Sequence, residues 1–175
     1  MKTLPLPLLL VALAVTPCMA EGLASFRFEG TQIGDSLEAF RQRHPDAQQK
    51  PSDRAPPLVA KEVTTYVTTN TIADAAQYSF FRNRLYELVV LYRRATIESM
   101  GGEEVLRGRL VAKLGPAKTA GEVAGGKVQV WAATNRIGVL ISKDNDLGIC
   151  ITDTEIGNKL KKINDQRAAQ IDTGF

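Results

Sequence analysis

The stretch Arg84 to Tyr92 constrains the fold of this chain more than any other, because it reads as a strand with two apolar sides. Side chains along a strand alternate between faces. Tyr86, Leu88, Val90 and Tyr92 therefore fall on one side, and Leu85, Glu87, Val89 and Leu91 on the other. A sheet covered by helices on one face only should be polar on its outer face, so the second apolar side needs a cover, either another element of this chain or a partner. Trp131, in a later predicted strand, is read as lying on that same surface, and large exposed apolar patches mark interfaces. Leu85, Glu87, Val89, Leu91 and Trp131 are thus the candidate binding residues; the plainer account is that they are simply more core.

Around this strand the pattern alternates between helix and strand. Asp35 as N-cap and Glu38 three residues later predict a first helix, with Leu37 and Phe40 on its apolar face, and Pro45 ends it. Residues 46–61, with Pro51, Pro56 and Pro57, read as a long surface loop. Strands are expected at Glu62 to Thr69, Ala75 to Phe81 and Arg84 to Tyr92, the last two joined at Arg82-Asn83. Leu106, Leu110 and Leu114 recur every fourth residue after Glu103 and Glu104, which predicts a second helix stopped at Gly115-Pro116.

Three more strands are expected at Lys127 to Ala133, Arg136 to Ser142 and Leu147 to Thr152. A closing helix follows, capped by Thr152 and Glu155, with Ile156, Leu160 and Ile163 as its stripe and fraying beyond about Arg167. The order reads as two tandem helix-plus-three-strand units and a C-terminal helix. Arg82-Asn83-Arg84-Leu85 echoes Thr134-Asn135-Arg136-Ile137, and the helix exits His44-Pro45 and Gly115-Pro116 correspond. The fold class is α+β, an antiparallel sheet with helices on one face.

Residues 1–20 read as a cleavable signal peptide, with Lys2 as the positive start, an uncharged run from Leu8 to Val15 and a small-residue site at Ala20. Pro5, Pro7 and Pro17 break the stretch, and it is too short for the roughly twenty apolar residues of a spanning helix. A lipid on Cys18 is the alternative fate, against which Pro17 stands where a small residue is required. The expectation is a single domain over residues 21–175, periplasmic or secreted, without a stable membrane anchor. All but one of the 22 basic residues then remain against 19 acidic ones. That balance gives no reason to expect nucleic acid as partner. Only Cys150 remains of the two cysteines, so no internal disulfide can form and the domain must hold itself by packing. Cys150 sits in an apolar run with no adjacent base, the setting of a buried, unreactive thiol.

No catalytic constellation emerges. Gly121 to Lys127 has the spacing of a phosphate-binding loop, but Val128 stands where a hydroxyl should hold magnesium, and the loop runs from helix to strand instead of strand to helix. Asp144-Asn145-Asp146 reads as a hairpin turn, because the Gly and distal Glu of a calcium loop are missing. His44, the sole histidine, sits at a helix end where capping is its commoner role. Lys159, Lys161 and Lys162 read as the solvated face of the last helix. No cofactor is called for.

The signal peptide, Ile33-Gly34-Asp35-Ser36 leading into a capped helix, and the helix-then-strands order resemble the small exported domains of the β-lactamase-inhibitor-like and SmpA-type outer-membrane-assembly class. That resemblance implies a binding protein or assembly factor without catalysis. Pro17 before Cys18 departs from the lipid-anchored SmpA type, and the missing disulfides depart from the inhibitor type. The expected function is an exported, non-enzymatic binding protein whose partner is another protein. The alternatives are an exported hydrolase working through dispersed carboxylates, which leave no linear motif, and a structural envelope component.

Overall fold

Two tight turns set the register of the sheet. Arg82 and Asn83 take φ of 50° and 64°, and Asp144 and Asn145 take 53° and 67°, the paired left-handed conformation that a two-residue hairpin requires. The computed structural model describes residues 22–69, 72–123 and 125–172; the expected signal peptide, Cys18 included, lies outside them. Each half begins with two helices, α1 (Gly22–Ser25) and α2 (Leu37–Arg43) in the first, α3 (Arg94–Ser99) and α4 (Glu103–Leu114) in the second. Each then runs through four strands, β1 (Gln48–Lys50), β2 (Val63–Thr68), β3 (Ala75–Phe81) and β4 (Arg84–Tyr92), then β5 (Thr119–Val123), β6 (Gly126–Ala133), β7 (Arg136–Lys143) and β8 (Asp146–Asp153). A last helix, α5 (Thr154–Asp172), closes the chain.

The eight strands form one antiparallel sheet in the order β1-β2-β3-β4-β8-β7-β6-β5. The α+β class is therefore as expected, and the two halves repeat. Each meander ends on a central strand, and β4 and β8 pair antiparallel from Glu87 opposite Thr152 to Tyr92 opposite Leu147. Each unit has four strands instead of three. β1 arises inside the expected surface loop and β5 inside the Gly-rich stretch, both wholly exposed edge strands with no apolar pattern to announce them. The turn equivalent to Arg82-Asn83 is Asp144-Asn145, because each joins the last two strands of its meander. The echo at Thr134-Asn135 joins β6 to β7 and is not equivalent.

Helices α1 to α4 cover one face, over a core that includes Phe40, Tyr78, Phe80, Leu88, Leu140 and Ile149. Phe40 sits among His44, Tyr66, Tyr78 and Phe80 with ring centroids 4.7–5.4 Å away. In α4 the every-fourth-residue pattern works as expected: Leu106, Leu110 and Leu114 are all buried. The Arg136 guanidinium ties the N-terminal segment to β7 by donating to the carbonyls of Ala24 and, at 2.9 Å, Ile33. At β4, Gly34 N–H donates to Leu85 C=O and Leu85 N–H to Asp35 C=O, which fixes the entry to α2 against the sheet.

The helices are not all on one face. α5 packs on the opposite side, where Leu160 joins Val59, Val63, Phe81 and Tyr86 in a second, smaller core. A 3₁₀ turn, Pro57–Glu62, carries Val59 into it, so the expected surface loop is partly core. Two caps also differ. Ser36 caps α2, its Oγ accepting from Ala39 N–H at 3.1 Å, because Asp35 is taken by Arg43 at 2.8 Å and by Gln32 N–H. Asp153 caps α5, accepting from Glu155 and Ile156 N–H at 3.0 and 3.1 Å. Helix α5 continues past Arg167 to Asp172, with Arg167 donating to Leu58 C=O at 2.7 Å.

Candidate functional site

The face of the sheet that α5 leaves open is the candidate site. Residues paired across strands share a face, so Glu87, Val89 and Leu91 of β4 stand with Ser79, Gln77 and Ala75 of β3 and with Thr152, Cys150 and Gly148 of β8. The register continues to Ile137, Val139 and Ile141 of β7, and to Val130 and Val128 of β6. Most of these side chains are half-buried, and Ile141 at 46% and Val123 of β5 at 66% are open to solvent. β-Branched residues are good strand formers, yet on a solvated face polar ones are expected.

Of the five residues singled out from the sequence, Glu87, Val89 and Leu91 share this face. Leu85 and Trp131 do not. The register between β3 and β4 shifts after Ser79, which pairs with Glu87 while Phe80 pairs with Leu85, so Tyr86 is the extra residue of a bulge and the alternation resets across it. Leu85 is consequently fully buried in the core beneath the helices, and Tyr86 turns into the small core under α5. Trp131 lies opposite Gly138, on the helix-covered face, where its Nε1 donates to Gly115 C=O at 2.8 Å. Val128, Val130, Val139 and Ile141 were missed as site residues, although their alternate spacing on both strands was readable.

A segment of the 46–61 loop crosses the middle of this face. Arg54 Nε donates to Glu87 Oε1 at 3.1 Å, and its Nη2 reaches Cys150 Sγ at 3.5 Å. Gln77 Nε2 donates to Asp53 Oδ1 at 3.3 Å. Cys150 Sγ lies 3.6 Å from Glu87 Oε1 and 3.5 Å from Thr152 Oγ1. Burial pushes the thiol above its ordinary range, and Glu87 adds to the effect. A thiol held protonated is a poor nucleophile. Glu87 Oε2 is buried with no hydrogen-bond partner among the described residues.

The pair Arg54–Glu87 is therefore expected to hold the loop in place. Arg54→Ala should cost about 1–2 kcal/mol, the lower part of the range for stranding a buried polar group, because the arginine side chain is itself 44% exposed. Adding Glu87→Gln should recover part of that loss in urea denaturation. Strict additivity of the two changes would show that the pair does not hold the loop.

A separate cleft of about 380 Å³ is lined by Glu29, His44 and Asp46 at the end of α2. His44 is engaged structurally: its N–H caps α2 on Phe40 C=O, and its Nε2 lies 2.9 Å from Thr31 Oγ1. Burial lowers its pKa. Gly121 to Val123 pair with Gly126 to Val128 across β5 and β6, and Asp144-Asn145 is a plain turn. Among the described residues no helix is long and apolar enough to cross a membrane.

No known protein-family model matches the chain, and no curated protein is similar to it. Among solved structures it is similar to a cysteine-rich secretory protein from Staphylococcus aureus subsp. aureus Mu50, at 12% identity and a TM-score of 0.43, over 80% of this chain and 49% of that one. The chain spans about half the length of that protein.

Proposed function

We propose that the chain is an exported binding protein that holds another protein against the open face of its sheet. One observation carries the reading: beside the segment that holds Asp53 and Arg54, partly exposed apolar side chains continue from Val89 and Leu91 of β4 through Val139 and Ile141 of β7 to Val128 and Val130 of β6. A contiguous apolar patch of this kind is the mark of an interaction surface. The reading accords with what the resemblance to β-lactamase-inhibitor-like and SmpA-type domains implies, a class made mostly of binding proteins and assembly factors.

Cross-linking and pull-down from the native envelope test it. Wild type should capture a partner; Val89→Asp and Ile141→Asp should each lose it while keeping the wild-type far-ultraviolet spectrum. Ile141 is 46% exposed, so a charge there should change stability by no more than about 0.5 kcal/mol. Capture that persists in both variants, or no capture by wild type, would rule the reading out. The competing hydrolase reading has the 380 Å³ cleft in its favour, which Glu29 and Asp46 both line; it requires an activity abolished by replacing either acid.

A further inference from the structure

A second cavity shares Glu29 with the 380 Å³ cleft and lies between the segment before α2, the end of β4 and the α3–α4 pair. It measures about 230 Å³. Its apolar wall is supplied by Phe28, Met100, Leu106 and Leu110. Three cations stand at its rim, Arg27 before the wall and Arg109 and Lys113 one turn apart on α4. All three are exposed and none has an ion-pair partner among the described residues. Like charges four apart on a helix repel, so Arg109 and Lys113 weaken α4 slightly and gain nothing from each other. Glu29, the one acid lining the cavity, accepts from Tyr78 OH at 3.4 Å and its charge also acts on Tyr92, so it opposes an anion there and is outnumbered by the three cations.

Tyr92 supplies the second observation. It lines the same cavity, the residue as a whole is only 4% exposed, and its hydroxyl makes no hydrogen bond to a described residue and is not among the buried unpartnered atoms, so it opens to the cavity as a donor. An apolar wall, an open phenol donor and an unpaired cationic rim together describe the complement of an amphiphile with a negative head. A carboxylate only accepts hydrogen bonds, and it takes them from a phenol and from the fork of a guanidinium.

We infer that this cavity binds a free single-chain fatty acid, its tail against Phe28, Leu106 and Leu110 and its carboxylate among Arg27, Arg109, Lys113 and the Tyr92 hydroxyl. At about 230 Å³ the cavity is small beside the roughly 300–1,000 Å³ of a usual ligand pocket, which favours one short chain over the two tails of a bilayer lipid. This site is independent of the open sheet face and stands whether or not that face binds a protein.

Calorimetric titration of the full chain tests the assignment, with octanoate, octyltrimethylammonium and acetate as probes. Octanoate should bind with one-to-one stoichiometry, and the cation of equal tail and the tailless anion should each bind at least about tenfold more weakly. Arg109→Glu should weaken octanoate by a similar factor, and so should filling the cavity with Met100→Trp, with the melting transition monitored in both. Tyr92→Phe should weaken octanoate while leaving octanol unchanged, which a general loosening of the core would not do. Equal affinity for the anionic and cationic amphiphiles would overturn the proposal. So would an unchanged Arg109→Glu, or sedimentation with phosphatidylglycerol vesicles in place of any octanoate binding at about 1 mM.

Discussion

Replacing Phe40 with Ala is expected to remove about 3–5 kcal/mol of stability, a large share of the roughly 5–15 kcal/mol that a domain of this kind possesses. Phe40 is fully buried and is the only buried residue of α2. The helix has seven residues, too few to persist without tertiary support. Its attachment rests on one ring held among Tyr66, Tyr78, Phe80 and His44, with centroids 4.7–5.4 Å away. Offset and tilted aromatic pairs add about 0.5–1.5 kcal/mol each beyond their buried area. The cavity left by Ala cannot close easily, because its other walls belong to strands held in register by β2–β3 and β3–β4 pairing. Phe40→Leu should lose less by keeping most of the volume, and Glu38→Ala, exposed on the same helix, should stay within about 0.5 kcal/mol of wild type. Urea denaturation of the three variants measures the differences. A loss below about 1 kcal/mol for Phe40→Ala would mean that α2 is not anchored by this ring.

What the sequence disclosed follows from where burial leaves a period. Leu106, Leu110 and Leu114 mark α4 because all three enter the core from one side of a helix. β4 is marked by its apolar run, but that run hides the bulge: with apolar residues on both sides, one extra residue changes which side is which and leaves no trace in composition. Simple alternation thus puts Leu85 on one face with Val89 and Leu91, whereas the bulge turns Leu85 into the helix-covered core. The edge strands β1 and β5 bury nothing, so no hydrophobic pattern could reveal them. Neighbouring cap formers are a further ambiguity, since Asp35 and Ser36 both qualify and only the position of Arg43 across the turn decides between them. The stripe Ile156, Leu160 and Ile163 told of an apolar face on α5, though nothing in it says which side of the sheet that face meets.

The position of α5 bears directly on the open face, because the helix covers one end of it and leaves the rest. Leu160→Ala is expected to cost about 2–5 kcal/mol by the usual range for a buried leucine, toward its lower end, because the helix can detach and spare the main core the cavity. Leu160 is the one buried side chain among the described residues of α5, and the cluster it completes with Val59, Val63, Phe81 and Tyr86 is separate from the larger core. Its other ties include the partly buried Ile156 and Ile163 at the edge of that cluster, the Arg167–Glu62 ion pair, the Arg167 bond to Leu58 C=O, and Leu58 N–H donating to Asn164 at 3.1 Å. Exposed polar contacts of this sort add little. The loss should therefore be local: amide exchange should quicken through α5 and the 3₁₀ turn while β4 and β8 keep their protection. Detachment would also lengthen the apolar face past Tyr86, so a partner that docks on the sheet should bind the variant over a larger area or compete with the helix for that end. Uniform acceleration of exchange across the sheet and α5 together would show a single cooperative unit, and the two cores could then no longer be treated as separable.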